Sequence, residues 1–226
     1  MVIGSGLLSR TFSHFKQDKK VTIFASGVSN SGETRADEFE REIDLLEKHL
    51  HAEPKLIYFS TISVHDPAIQ NSPYIRHKRN AEKLITEHAD KYMVFRLPIL
   101  VGRTSNPNTL ANFLFSKISS NETIHLFKNA GRYLMDADDA GELLTGIIRS
   151  GDFDNAVLDI NFDNLLSIES IIGIYEKVLG KNAVIKLTDK GGSYSTDNKI
   201  FLDYLKRIGF ERNDDYETVL IKKYFG

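Results

Sequence analysis

Short apolar runs alternate with longer stretches whose apolar residues recur every three or four positions, and this rhythm governs the first hundred residues. Val2-Ile3 is a stub of strand that runs into Gly4-Ser5-Gly6, after which Leu7, Leu8, Phe12 and Phe15 fall near helical spacing. Val21 to Ala25 is a β-rich run ending at Ser26-Gly27. A polar segment, residues 29–34, leads into an amphipathic helix in which Phe39, Ile43, Leu46 and Leu50 form the apolar stripe. Leu56 to Phe59 is the next strand and ends at Ser60-Thr61; a loop with Pro67 and Pro73 precedes a helix carrying Tyr74 and Lys78; Tyr92 to Leu97 is a strand closed by Pro98. Such a βαβαβαβ order predicts a mostly parallel sheet covered by helices on both faces.

The second half is less regular. Thr109 to Ser119 reads as a helix, with Thr123 to Phe127 and Arg132 to Met135 as short strands. Asp138-Asp139 marks a helix start, since acids suit the positive end of the helix dipole. Val157 to Ile160 is a further strand. A helix from Ser167 to Leu179 opens as S-x-x-S and closes at Gly180; Ala183 to Leu187 follows, then Asp197 to Ile208 closed by Gly209. The fold class predicted is α/β, a Rossmann-like doubly wound parallel sheet over residues 1–105 and a small carboxyl-terminal α/β lobe over 106–226, whose strands and helices return to the core.

Composition narrows the partners. The 226 residues are 41% hydrophobic and 27% charged, ordinary for a globular chain. A net charge of -2 without any basic run argues against a nucleic-acid partner. With no cysteine there are no disulfides or thiolate metal sites, in keeping with a reducing cytoplasm. Glycine follows at once on Met1-Val2-Ile3, so no signal peptide is expected, and no apolar run reaches the roughly 18 residues of a membrane span. The seven histidines show no metal spacing; His49-x-His51 and His77 read as surface residues, and no metal is expected.

Tyr74-Ile-Arg-His-Lys78 is where chemistry enters. Residues four apart share a helix face, so the phenol and the ammonium can point into one cleft. A phenol of pKa ~10 is a poor base at neutral pH, and a nearby cation lowers that value. The pair is thus a candidate acid/base for an alcohol or ketone; equally, Tyr74 is a helix-start aromatic covering the core and Lys78 a surface charge. Gly4-Ser5-Gly6-Leu7-Leu8-Ser9 is a G-x-G-x-x-S turn, fit either for a plain strand-to-helix connection or for the approach of a pyrophosphate. A dinucleotide site normally has an acid closing its second strand, about 20 residues on. Here the strand ends in Ser26-Gly27-Val28.

These segments, in this order, resemble the extended short-chain dehydrogenase/reductases, the group of nucleotide-sugar epimerases, dehydratases and reductases. Phe59-Ser60-Thr61-Ile62-Ser63-Val64 is similar to the strand ending in the catalytic Ser or Thr. Tyr74 and Lys78 match Y-x-x-x-K. Phe95-Arg96-Leu97-Pro98-Ile99-Leu100-Val101-Gly102 is similar to R-L-P-x-x-x-G beside the nicotinamide, and Arg132 to Asp139 resembles R-x-x-x-x-V-x-D. Val21 to Val28 matches the family's fourth strand, so the second and third, which bracket the adenine, are absent.

The resemblance implies an NAD(P)-dependent epimerase or keto-reductase of a nucleotide-linked sugar, in the service of surface-polysaccharide synthesis. Its alternatives are a redox enzyme for another small alcohol or ketone, and a non-enzymatic sensor or scaffold with weakened cofactor binding. Tyr74 would be the acid/base, Lys78 would lower its pKa and bind the nicotinamide ribose, and Thr61 would hydrogen-bond the substrate oxygen, with Ser60 or Ser63 as fallback. NAD or NADP would lie along Gly4, Ser5, Gly6, Leu7, Leu8, Ala25, Ser26, Gly27, Ser60, Lys78 and Pro98. Arg10, Lys16, Lys19 and Lys20 either meet an adenosine phosphate or are solvated helix charges. Ser63, Asn106, Asn112 and Arg132 would contact substrate; the alternatives are a Pro/Asn turn with a helix cap at Asn108, and pairing of Arg132 with Asp136 or Asp138. Ile62-Ser63 stands where dehydratases have Asp-Glu, which argues against 4,6-dehydration. Homodimerisation would use the tyrosine helix and the helix over residues 37–50.

Overall fold

Runs of β-branched and aromatic residues become strands, and the stripes between them become helices. The computed structural model describes residues 1–51, 54–189 and 191–226. In chain order the elements are β1 (Val2–Ile3), α1 (Leu7–Thr11), β2 (Val21–Phe24), α2 (Ala36–Glu47), β3 (Lys55–Thr61), α3 (Pro73–His88), β4 (Tyr92–Leu97), β5 (Ile99–Val101), α4 (Leu110–Ser119), β6 (Thr123–Phe127), β7 (Gly131–Arg132), β8 (Leu134–Asp136), α5 (Ala137–Ser150), β9 (Ala156–Asp159), β10 (Leu166–Ser167), α6 (Ile168–Leu179), β11 (Val184–Thr188), α7 (Lys199–Ile208) and α8 (Tyr216–Phe225).

They form two units. The first comprises Met1–Val64, Ile69–Leu97 and Ala137–Ile160; the second comprises His65–Ala68, Pro98–Asp136 and Asn161–Gly226. The chain thus leaves the first unit at Pro98 and returns to it for α5 and β9. Proline has no N–H for a ladder, and Ile99 instead donates to the Tyr133 carbonyl of the second unit, at 3.0 Å.

The first unit is a parallel sheet in the order β1-β2-β3-β4-β9. Its strands are buried on both faces, as their unbroken apolar runs require. On one face Phe24, Leu56, Tyr58 and Val94 pack against Leu46 and Leu50, and against Ala81 and Ile85 of α3. On the other face Phe12, just past α1, stacks on Phe59 at 5.1 Å, and Phe59 on Phe95 at 6.3 Å. From β1 to β4 each connection steps one place in the same direction across the sheet. α1 runs on the Phe59 face, whereas α2 and α3 run on the Tyr58 face. Equal steps through opposite faces have opposite hands. About 98% of such crossovers are right-handed, so if α2 and α3 follow the rule, α1 breaks it. A doubly wound sheet that has lost the strands between β1 and β2 would leave this trace, with β1 at the edge.

In the second unit β5 pairs with β8 and β6 with β11, both parallel, while β7 pairs antiparallel with β10. α4, α6 and α8 enclose Leu114, Ile118, Ile171, Ile172, Tyr175, Leu220 and Ile221. The segment read as one strand from Arg132 is divided, Arg132 and Leu134 serving different partners. α8 and β5 were not expected from periodicity. α4 is capped by Thr109, whose hydroxyl accepts from the Asn112 N–H, rather than by Asn108.

Candidate active site

Thr61 is the last residue of β3, and Tyr74 is the second of α3. Local chemistry fixes where that helix begins. Pro73 occupies its first position, where the missing N–H costs nothing, and the Ser72 hydroxyl accepts from the Ile75 N–H at 3.2 Å. The Tyr74 phenol consequently comes beside the Thr61 side chain, close enough for Thr61 to act on its titration. Lys78 lies one turn on, its Nζ 6.0 Å from the centre of the Tyr74 ring. Both side chains are buried, at 8% and 2% exposure.

Lys78 does not face an empty cleft. Its Nζ donates to Glu42 Oε1 and to the Tyr58 hydroxyl, each at 3.0 Å. Glu42, fully buried on α2, also accepts from the Tyr58 hydroxyl at 2.6 Å, the Val28 N–H at 2.5 Å and His77 Nε2 at 2.8 Å. Burial pushes the Glu42 carboxyl up, but Lys78, His77, Tyr58 and the Val28 N–H outweigh it and hold it well below the usual range. The Tyr74 phenol is pushed up, first by burial and then by the Glu42 charge, against a smaller opposing effect of Thr61. Lowering by Lys78, expected from the sequence, is therefore not the outcome: burial raises the phenol most, and the Glu42 charge adds to it. Tyr58 is likewise raised, by burial and then by Glu42.

Periodicity held a signal for Glu42. It lies three residues after Phe39 and four before Leu46, a carboxylate within an apolar stripe. His77 is a correction: it is buried, bonded to Glu42, and its ring stacks on Phe39 at 4.6 Å. Gly27 is small because the pair demands it. A Cβ there would lie 2.9 Å from both Glu42 Oε1 and Lys78 Nζ.

The remaining sequence candidates divide between the units. In the first, Gly4 has φ +116°, and a Cβ on it would lie 2.2 Å from the Ala25 carbonyl oxygen, so glycine is needed for the chain itself. A Cβ on Gly6 would meet nothing within 4 Å. Ser9 closes this turn by donating to the Gly4 carbonyl at 2.8 Å, with Ser5 exposed and Leu7 and Leu8 half-buried. Ser26 accepts from Arg41 at both its hydroxyl and its carbonyl, 3.3 Å each. Ser60 donates to Glu82 at 2.5 Å, beside Arg96 and Asp159, and the Ser63 N–H donates to Thr61 Oγ1. In the second unit Asn112 spends both amide hydrogens on the Thr104 and Asn106 carbonyls, and Asn106 Oδ1 accepts from the Asn108 N–H. Arg132 pairs with Asp66 at 3.2 Å, while Asp136 is held by Lys223 and Tyr224. Among the described residues no group of three or more His, Asp or Glu could hold a metal ion, and no helix is long and apolar enough to cross a membrane.

No protein-family model and no curated protein matches the chain. Solved structures do. A UDP-glucuronic acid 4-epimerase from Bacillus cereus, in complex with UDP-glucuronic acid and NAD, superimposes with a TM-score of 0.70 at 19% identity, over 97% of this chain and 79% of that one. The chain shares the fold of this epimerase. A dTDP-glucose 4,6-dehydratase from Bacillus anthracis, in complex with NAD, gives 0.69 at 14% identity, over 99% and 77%. A UDP-glucose 4-epimerase from Bifidobacterium longum, in complex with NAD+ and UDP, gives 0.67 at 14%, over 98% and 82%. Nearly all of this chain is matched but about four-fifths of each neighbour, in line with strands absent beside β1.

The residues fit a dinucleotide unevenly. The open space at Gly6 and the placement of Lys78 against Gly27 suit a pyrophosphate and a nicotinamide ribose. The adenosine side is not provided for: β1 is the sheet edge, and β2 ends without an acid.

Proposed function

We propose that the chain is an NAD(P)-dependent epimerase or keto-reductase acting on a nucleotide-linked sugar. The placing of Tyr74 beside Thr61, with Lys78 one turn away, is the observation that carries this reading. A proton donor, a hydroxyl partner and a cation meet at the end of β3, and ligands in open α/β sheets bind beyond the carboxyl ends of the strands. Tyr74 exchanges a proton with the substrate oxygen, Thr61 hydrogen-bonds that oxygen, and Lys78 retains one N–H for a ribose hydroxyl. When bound, the nicotinamide supplies or accepts the hydride. Gly4 to Leu8 would hold the pyrophosphate, and Ala25, Ser26 and Gly27 the ribose side. Substrate contacts from Ser63, Asn106, Asn112 and Arg132 and a homodimer through α2 and α3 belong to the same proposal. Because Arg132 and Asn112 are already engaged, a ligand would have to compete for them.

The capture of Lys78 by Glu42 and the bare edge at β1 favour a second reading, a dinucleotide-fold sensor or scaffold without turnover. Titration with NADH and NADPH, followed by nicotinamide fluorescence, and assay of Tyr74→Phe separate the two. The enzyme reading expects one cofactor to bind and the variant to lose turnover by ~10²–10⁴-fold with its fold intact. Unaltered turnover in Tyr74→Phe would sink the proposed mechanism. No binding up to millimolar cofactor by the folded protein would favour the second reading.

A further inference from the structure

Glu42, Tyr58 and His77 surround Lys78 with a buried polar cluster that the proposed reaction does not itself require. Every element around it contributes. The β2–α2 connection brings the Val28 N–H and the bare Cα of Gly27; α2 brings Glu42, with Phe39 on the His77 ring; β3 brings Tyr58; α3 brings Tyr74, His77 and Lys78. Glu82, one turn beyond Lys78, also acts on Tyr58. The Glu42 carboxylate thus receives four donors, and Lys78 gives two of its three N–H groups to Glu42 and Tyr58. A carboxylate buried at 0% exposure is retained at considerable desolvation cost, so its partners must be fixed in place.

We propose that Glu42 is a positioning residue for the Tyr74–Lys78 pair: its carboxylate locks the ammonium against Gly27 as a neutral buried pair, so that Tyr74 enters the reaction as a phenol rather than a phenolate. This rests on Tyr74 being the acid/base and fixes its resting state. A phenol is set up to give. Its O–H bond breaks and the proton goes to the oxygen of a substrate carbonyl as the carbonyl carbon takes hydride, which a reduced nicotinamide would supply when bound; solvent returns a proton to the phenolate left behind. The site at rest accordingly already holds the proton that the reductive half of the reaction needs.

The test needs neither cofactor nor substrate. Tyrosine residues labelled at the phenolic carbon are titrated by NMR in the full chain, with Tyr74→Phe assigning the signal. In the wild type the Tyr74 signal should remain that of a phenol to about pH 11, beyond the ordinary phenol pKa near 10. Removing the Glu42 charge leaves the Lys78 cation unopposed, and both changes favour phenolate. Glu42→Gln should therefore lower the midpoint by about one pH unit or more. A Tyr74 signal as resistant in Glu42→Gln as in the wild type overturns the proposal. Should that variant not fold, the lysine side decides the matter in the wild-type chain. A locked Lys78 ammonium exchanges its protons slowly and gives a nitrogen–proton signal that disappears in Lys78→Arg; its absence from the wild type overturns the lock. Failure of the functional reading looks different, as unaltered turnover in Tyr74→Phe, and leaves both NMR results standing.

Discussion

At the residue scale, the consequential event is the meeting of a lysine with a glutamate 36 positions before it. Tyr74 and Lys78 were legible because helical spacing alone puts them on one face. The state of the Tyr74 proton was not, because it depends on burial and then on a carboxylate delivered by another helix. His77 was misread for the same reason: a histidine in a polar-looking pentapeptide is buried only when a neighbour supplies a stacking ring and a carboxylate. Removing one member of the pair should expose the cost of burial. Lys78→Met leaves Glu42 uncompensated and should lose about 3–5 kcal/mol of stability, measured by denaturant unfolding. Adding Glu42→Gln to that variant should recover part of the loss. A double variant less stable than Lys78→Met would show that the two groups do not form a unit.

At the element scale, capping and turn chemistry account for most boundaries. Ser72-Pro73 starts α3, Ser167 starts α6, and Gly180 and Gly209 end their helices at φ +62° and +68°. Where periodicity misled, pairing had intervened. Arg132 and Leu134 are drawn to different strands, and α1 ends after one turn because Phe12 and Phe15 must reach the sheet. Packing also makes a glycine out of a loop position. Gly27→Ala should cost about 1–3 kcal/mol, because its methyl meets Glu42 and Lys78 at 2.9 Å in a cluster without slack. An exposed position such as Gly151, where a Cβ meets nothing within 4 Å, is the wrong control because of its φ of +73°; Gly173→Ala, on α6 and equally open, is the right one. Thermal unfolding of the two variants checks this, and equal midpoints would contradict it.

At the scale of the whole molecule, the sheet order explains what the chain can hold. With β1 at the edge, no strand among the described residues lies beyond it to flank an adenosine, so that half of a dinucleotide should contribute little. Reduced nicotinamide mononucleotide is then expected to compete with NADH to within about tenfold, or ~1.4 kcal/mol, in a fluorescence titration. A preference for NADH of several orders of magnitude would reveal an adenosine site built some other way. The sequence by itself determined the α/β rhythm, most element ends, a hydroxyl at the end of β3, and a phenol and an ammonium on one face of α3, because strand alternation, helical periodicity and capping act over fewer than about ten residues. The tertiary structure alone decided the hand of the first crossover, the division at Pro98 and the pairing of Lys78 with Glu42. Those depend on which distant segments share a face of the sheet, and in the buried interior a single charge brought across that distance outweighs the local pattern.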